Sequence, residues 1–560
     1  MVNIHETVKS EAISKPSTPL PSKSTPILDH FQPTDETEIK KIIMTGPSKS
    51  CSLDALPTSL LKKSIDVHLP ILCKIINWSL RTGIFPAALK TTDVTPIIKK
   101  ASLDQNTLKN YRPVSNLAFT GKLMEKVVLK RVNEHMSKHK LGEPLQSAYR
   151  PRHSTETALM SVQHDIVKEL DQGKGVAMVL LDLSAAFDTI NPQGVTDTLQ
   201  QHIGVNGTPL TWFKDYLANR RQRVRIGSTV SAPMTLTRGV PQGSVLGPVL
   251  FTTYTIPLAA ICAKYNVKYH IYADDTQLYV VFDPSIPGDC ERALCRLKNC
   301  IKEIRAWMLT HELKLNDDKT EYIIYQSRHH QQKHGAPELI LGEFSFQPSC
   351  SVRNLGAFFD AEMTRKRHVS EVCRSSYYFI RQIGRIRTLL TRDACNDAVR
   401  SAILSRLDYS NALLGGLRKS DLDRLQRVQN RAARLVSLTK IRESITPVLC
   451  DLHWLPVQSR IEFKLCTYMY KAIHQISPAY ISSEVSFYRP QRALRSSNAG
   501  PLLNITVGCR NIADFDFAVK GPQLWNVLPV DIRDAPSVMT FKKKLKTFLF
   551  RKHFFCSGSA

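Results

Sequence analysis

Two runs of alternating residues flank a short acidic break. Val267, Tyr269 and Ile271 alternate with Lys268, His270 and Tyr272; beyond Ala273-Asp274-Asp275, Leu278 and Val280 alternate with Gln277 and Tyr279. A period of two on both sides predicts a β-hairpin with the two carboxylates at or near its tip. A different pattern precedes it, the nearly continuous apolar run Val176 to Leu183, broken only by Asp182, which predicts a buried strand. Helical periodicity marks Thr34 to Lys100, with Leu69, Leu72, Ile75, Ile76 and Leu80 as its stripe. It recurs from Gly121 to Met136, and after Thr155 through Leu159, Val162, Ile166 and Leu170. Further helices are predicted over Leu210 to Ala218, Ala306 to Leu315, Asp421 to Val436 and Phe541 to Phe550. Strands are predicted along Arg220, Arg221, Arg223 and Arg225, over Glu321 to Tyr325, and over Ser351 to Phe359 with a glycine break. Residues 327–337 read as a polar loop, and residues 1–30, rich in Ser, Pro, Thr and Lys, as a disordered lead-in. Such a mixture predicts an α+β chain, and no internal repeat points to a solenoid.

Composition adds a partner. The chain has 560 residues, enough for several domains, and its net charge of +27 favours a polyanion. The charge is concentrated: residues 361–440 hold 17 Lys or Arg against 7 Asp or Glu. Within the predicted helix Asp421 to Val436, Leu422, Leu425, Val428, Ala432 and Leu435 share one face. Arg424, Arg427, Arg431 and Arg434 line an adjacent one, with Ser420 and Asp423 as a capping box. The 13 cysteines are scattered and show no zinc-finger spacing. No run approaches the roughly 18 apolar residues of a membrane span, and residues 1–30 lack the apolar core of a secretion signal. A cytoplasmic or nuclear protein that is neither secreted nor membrane-spanning is expected.

Three carboxylates carry the candidate chemistry. Asp182 inside an apolar run needs a partner, and Asp274 beside Asp275 is a repelling pair that a divalent cation would compensate. Brought together, they suit two Mg²⁺ ions, which take hard oxygen ligands, and two such ions about 3.5–4 Å apart serve nucleotidyl transfer. Two arginine-bearing loops, around Arg112 and Arg150, match phosphate oxygens by their guanidinium forks. In Arg238-Gly239-Val240-Pro241-Gln242-Gly243-Ser244, two glycines make a loop that lets a ligand approach the backbone at a helix start.

The order of motifs resembles a reverse transcriptase of the non-LTR (LINE-type) retrotransposon family. The resemblance runs from about Thr95 to Lys440 and rests on Tyr111-Arg112-Pro113-Val114-Ser115, Leu181-Asp182-Leu183-Ser184-Ala185-Ala186-Phe187-Asp188, Gly239 to Ser244, Tyr272-Ala273-Asp274-Asp275 and Leu315-Asn316-Asp317-Asp318-Lys319-Thr320. Downstream, Leu407-Asp408-Tyr409-Ser410-Asn411-Ala412-Leu413 and Leu452-His453-Trp454-Leu455-Pro456 also match this group. The resemblance implies a right-hand polymerase, with fingers and an antiparallel palm over 95–345 and a basic helical thumb over 346–440. Around these lie a helical extension at 31–94 and a mixed C-terminal region at 441–560. It implies an RNA-directed DNA polymerase using Mg²⁺, with Mn²⁺ as the alternative, on an RNA template, a DNA primer and dNTPs. Asp182, Asp274 and Asp275 would hold the metals and Lys319 would sit near the pyrophosphate. Arg112, Arg150, Phe187, Gln242, Gly243 and Tyr272 would line the nucleotide site, with Phe187 excluding a 2′-hydroxyl. Arg424, Arg427, Arg431 and Arg434 would grip nucleic acid.

The sequence departs from the family in places. Arg152 stands where glycine is common, at a cost of order 1 kcal/mol if that position needs positive φ. Asn191-Pro192 stands where an acidic residue and a histidine are common. The family's usual upstream endonuclease has no room in the first 94 residues, so a truncated copy or a partial gene model is expected. The alternatives are a catalytically inactive nucleic-acid-binding relic and another template-directed polymerase with the same palm, such as a group II intron protein or an RNA-dependent RNA polymerase.

Overall fold

The computed structural model describes residues 25–49, 51–184, 186–335, 337–488, 502–505, 508–509 and 511–555. Two units divide the chain. The first takes Met1–Glu143, Asp182–Lys264 and Cys300–Asp317; the second takes Pro144–Leu181, Tyr265–Asn299 and Asp318–Ala560.

In the first unit, strand Thr91–Ile98 pairs antiparallel with Tyr111–Asn116 and parallel with Arg220–Ile226, which also carries Thr229–Val230 and Met234–Leu236. Fully buried Asp93 explains part of the arginine alternation. Its carboxylate accepts from Arg223 at 2.7 and 2.9 Å, from Arg225 at 3.0 Å and from the Ser52 hydroxyl at 2.8 Å. Helices Glu36–Thr45, Ile65–Thr82, Phe119–His139 and Gly207–Leu217 supply the apolar residues. Trp212 stacks on Tyr216 with ring centroids 5.2 Å apart, and Phe85 meets both edge-on.

Two expectations are corrected in this unit. The helical pattern does not continue from Thr34 to Lys100: its last helix closes at Thr82 on left-handed Gly83, and β-branched Thr91, Thr92, Val94, Thr95, Ile97 and Ile98 favour a strand. Pro96 faces Pro113 in that ladder, so both missing N–H groups fall at one rung. Nor are residues 25–30 a disordered lead-in. Leu28 N–H donates to Gly204 O at 2.8 Å and Leu28 O accepts from Asn206 N–H at 2.8 Å, a close approach that Gly204 permits by having no Cβ. Residues 1–24 of that expectation lie outside the described ones.

The second unit is built on a four-stranded antiparallel sheet in the order Glu321–Tyr325, Gly175–Leu181, Asp275–Phe282, Lys268–Tyr272. Helix Thr155–Asp171 buries Leu159, Val162, Ile166 and Leu170, and starts with a capping box between Ser154 and Thr157. One continuous core joins this sheet and helix to helices Lys366–Arg385, Lys419–Ser437, Val457–Ile473, Phe517–Asn526 and Val538–Phe554. Helices mixed with an antiparallel sheet give the α+β character expected.

Several boundaries move. The predicted buried strand stops at Leu181, and Leu183–Ser184 forms a separate short pair with Lys314–Leu315. The helix expected at Ala306 to Leu315 runs from Asp289 to Thr310, because Leu297, Cys300, Ile304 and Met308 extend the buried face upstream. The polar stretch 327–337 contains helix Arg328–His334, capped by Ser327. Ser351 to Phe359 is a hairpin rather than one strand, turning at Leu355 (φ +42°) and Gly356 (φ +86°). The arginine helix starts at Lys419 on Arg418, without a side-chain cap, so the Ser420–Asp423 capping box does not form.

Candidate active site

The acidic hairpin closes on the pair Tyr272–Asp275, leaving Ala273 and Asp274 as a two-residue turn. Ala273 adopts φ +57°, a left-handed conformation that costs a non-glycine residue about 1 kcal/mol. Buried Gln146 holds it there. Its Oε1 accepts from Ala273 N–H at 3.0 Å, and its Nε2 donates to Ala273 O at 3.4 Å. The chain around Gln146 also joins the hairpin backbone, with Ser147 N–H to Ile271 O at 2.9 Å and Ile271 N–H to Leu145 O at 3.0 Å.

Deeper in the same hairpin, fully buried His270 meets the Ser147 hydroxyl at 2.8 Å, and Ser147 meets the Tyr480 hydroxyl at 2.7 Å. Burial pushes His270 down to about 3, so its imidazole is neutral at pH 7. Asp274 is half-buried and Asp275 exposed. Tyr149 lies beside Asp274: burial, then that carboxylate, raises its hydroxyl above the ordinary value. Tyr272 is half-buried, and Arg150 braces its own loop by donating to Gln146 O at 3.0 Å. Arg152 takes φ +69°, the strained conformation anticipated for it, and donates to Gln475 O at 3.1 Å. Exposed Lys319 ends the turn Asp317–Lys319.

Asp182, at the break after strand Gly175–Leu181, belongs to the first unit. There Asn316 N–H donates to its carbonyl at 2.9 Å, and the Asn316 amide reaches Oδ2 at 3.4 Å. Bidentate Arg305 holds neighbouring Asp317 at 2.6 and 3.2 Å.

Phe187, Gln242 and Gly243 come together in the first unit. Val240 N–H donates to Phe187 O at 2.9 Å, the Gln242 amide donates to Asp188 Oδ2 at 3.1 Å, and Ser115 N–H donates to Gln242 O at 2.9 Å. Burial pushes the Asp188 carboxyl up to about 6, and the Gln242 bond opposes part of that rise. Two glycines permit these approaches: a Cβ on Gly239 (φ +81°) would lie 2.8 Å from Asp188 O, and one on Gly243 (φ +111°) 2.8 Å from Ser115 O. The Phe187 ring packs against Phe251 at 4.9 Å. Arg112 is exposed on the strand that carries Ser115. The helix after the loop begins at Gly247, and buried Glu125 accepts from Val245 and Leu246 N–H at 2.6 and 3.1 Å just ahead of it. Burial raises Glu125, against these donors and the nearby charge of Arg220.

The four arginines of helix Lys419–Ser437 divide. Arg424 donates to Asp421 at 3.1 Å and Ser370 at 2.9 Å. Arg434 donates to the carbonyls of Lys440, Ile441 and Glu443 at 3.2, 3.2 and 2.6 Å. These two make intramolecular bonds, while Arg427 and Arg431 are exposed.

Sequence reading missed Gln146, Asn316 and Glu125. Asn316 sits inside a quoted motif and Gln146 four residues before Arg150, where carboxylates and arginines drew the reading. Glu125 carried no signal beyond an acid in an apolar helix face. As donors, three aspartates fit Mg²⁺, which takes hard oxygen ligands. Among the described residues, however, no three His, Cys, Asp or Glu side chains are gathered closely enough to hold a metal ion. Nor, among them, is any helix long and apolar enough to cross a membrane.

Residues 98–357 match the family described as reverse transcriptase (RNA-dependent DNA polymerase). Its relatives belong to mobile elements. The probable RNA-directed DNA polymerase from transposon BS of Drosophila melanogaster is 27% identical over 439 residues, 76% of this chain and 46% of that protein. The RNA-directed DNA polymerase from mobile element jockey of the same organism is 24% identical over 415 residues, 71% of this chain and 43% of that protein. The chain thus spans about half the length of the curated relatives it matches. Among solved structures, apo telomerase from Candida Tropicalis truncated from its C-terminal domain covers 50% of this chain and 55% of its own, at 10% identity and a TM-score of 0.33, too low to define a shared fold.

Proposed function

We propose that this chain is an RNA-directed DNA polymerase of a non-LTR retrotransposon, adding dNTPs to a primer 3′-hydroxyl on an RNA template. The observation that carries this reading is the reverse transcriptase match over residues 98–357, which takes in Asp182, Phe187, Gln242, Asp274, Asp275 and Lys319. The strand register supports it: Leu181, just before Asp182, pairs with Thr276, just after Asp275.

In this reading residues 95–345 are fingers and palm and 346–440 the thumb of a right-hand polymerase. Asp182, Asp274 and Asp275 would hold two Mg²⁺ ions. When bound, these supply a more acidic primer hydroxyl and a stabilised leaving oxygen. Gln146 fixes the turn that carries Asp274, and Asn316 steadies the backbone at Asp182. The Gln242 loop and the Phe187 ring shape the nucleotide site, where an aromatic wall excludes a 2′-hydroxyl. Arg112, Arg150 and Tyr272 face the incoming nucleotide and template. Lys319 neutralises the departing pyrophosphate. Arg427 and Arg431 contact the phosphate backbone.

Primer extension on an RNA template with Mg²⁺ and dNTPs tests the reading. Incorporation by wild type and its abolition in Asp274→Asn are expected; no incorporation by the folded protein would overturn it. A second reading, a nucleic-acid-binding protein without polymerase activity, draws on the basic balance of residues 361–440, 17 Lys or Arg against 7 Asp or Glu. Salt-sensitive RNA binding without incorporation would establish it.

A further inference from the structure

Two motifs lie beyond the reverse transcriptase match, Leu407 to Leu413 and Leu452 to Pro456. Distant in sequence, they meet in the second unit at one cavity of about 540 Å³, within the roughly 300–1,000 Å³ of ordinary ligand sites. Asp408 and Asn411 come from the first motif, His453 and Trp454 from the second, and Lys546 from helix Val538–Phe554.

The lining has three kinds of chemistry. Its inner cations are already matched: Arg460 Nε donates to Asp408 at 2.8 Å, and Lys464 donates to Glu156 at 3.0 Å. Its outer cations, Arg400 and Lys546, are exposed, and neither makes an ion pair or a side-chain hydrogen bond among the described residues. Flat apolar surface comes from Phe463 and the His453 ring, with buried Trp454 alongside. His453 takes φ +53° as the left-handed residue that closes helix Thr446–Asp451, with Trp454 N–H donating to Leu449 O at 2.9 Å, and this places its ring at the cavity rim.

The third kind is an orphan. Asn411 is only 2% exposed, and its side-chain oxygen has no hydrogen-bond partner, while its amide nitrogen reaches Asp408 at only 3.5 Å. A buried amide oxygen left unpaired is unfavourable unless a donor arrives to meet it. The complementary ligand has an anionic end for Arg400 and Lys546, a flat face for Phe463 and His453, and an N–H edge for Asn411. A nucleoside phosphate combines all three.

We propose that this cavity is a nucleotide-binding site, separate from the polymerase residues, which takes one base and its phosphate, either from a single strand or as a free nucleotide. The inference does not rest on polymerase activity. It is tested on the full chain in EDTA, so that no divalent ion loads the aspartates. Calorimetry with AMP, UMP, CMP, GMP and inorganic phosphate reads the site. A short single-stranded RNA carrying one 4-thiouridine, cross-linked and mapped by mass spectrometry, reads the source.

Saturable monophosphate binding is expected, at least tenfold tighter than inorganic phosphate. The surface double variant Arg400→Glu/Lys546→Glu is expected to weaken it at least tenfold, without moving the unliganded unfolding temperature. A cross-link within residues 452–463 assigns a strand; monophosphate binding without that cross-link assigns a free nucleotide. Equal affinity for inorganic phosphate, undiminished binding by the double variant, or neither binding nor cross-link would overturn the proposal.

Discussion

Gln146 grips Ala273 by both ends of its peptide groups, accepting from the N–H at 3.0 Å and donating to the carbonyl at 3.4 Å. The strained turn residue next to Asp274 is thus held by a buried side chain from a different loop. Gln146→Ala removes both bonds and leaves Ala273 N–H without this acceptor, a loss of about 1–3 kcal/mol. Because a small misplacement of a reacting group is costly, primer extension should fall by about 10²-fold. Incorporation rate measured beside urea unfolding checks it: activity should fall far more than the remaining folded fraction explains.

Gly243 makes a comparable prediction in the first unit. At φ +111°, with Ser115 O 2.8 Å from any added Cβ, Gly243→Ala carries both backbone strain and a clash with backbone. Destabilisation of about 2 kcal/mol is expected, together with a higher KM for dNTPs as Gln242 shifts. Steady-state kinetics that leave KM unchanged would detach Gln242 from the nucleotide site.

How much of this could be read beforehand depended on whether the signal was local. The acidic hairpin was legible because alternation, turn and charge all lie within residues 267–280. So was the strain at Arg152, where a bulky residue stands at a position needing positive φ. Gln146, by contrast, gains its meaning only from a partner 127 residues away. Arg424 and Arg434 looked like a basic face because helical spacing fixes direction and says nothing of Ser370 or the carbonyls at 440–443 that engage them. The helix from Asp289 was shortened in the reading because Cys300 and Ala293 bury as fully as leucine, yet mark an apolar stripe less plainly.

His164 ties helix Thr155–Asp171 to the C-terminal region through Glu484 and Asp516, each 2.9 Å away. Burial alone would lower its pKa, but the two carboxylates overcome this and raise it to about 10. A histidine whose folded pKa lies above its unfolded value of about 6.5 stabilises fully below that value, and this contribution fades as pH rises through the folded pKa. Compared with His164→Gln, wild type should be more stable by about 3 kcal/mol at pH 6, with the difference shrinking between pH 7 and 10. Urea unfolding of both proteins across that range measures it, and a difference that grew with pH would show that the imidazole is not held as a cation.

Arg427 and Arg431 differ from their helix neighbours in being exposed. If both meet phosphates, Arg427→Ala/Arg431→Ala should reduce the slope of log affinity against log salt by about 2 for a duplex, since each contact contributes roughly 0.9. Unfolding stability should move by less than about 0.5 kcal/mol, because neither side chain is buried. Arg424→Ala should behave oppositely: it loses the bonds to Asp421 and Ser370, lowers stability by about 1 kcal/mol, and leaves the salt slope as in wild type. Fluorescence-anisotropy titrations of a primer–template duplex from 50 to 300 mM salt separate the two classes. Equal slopes for wild type and the double variant would remove this helix face from the nucleic-acid interface.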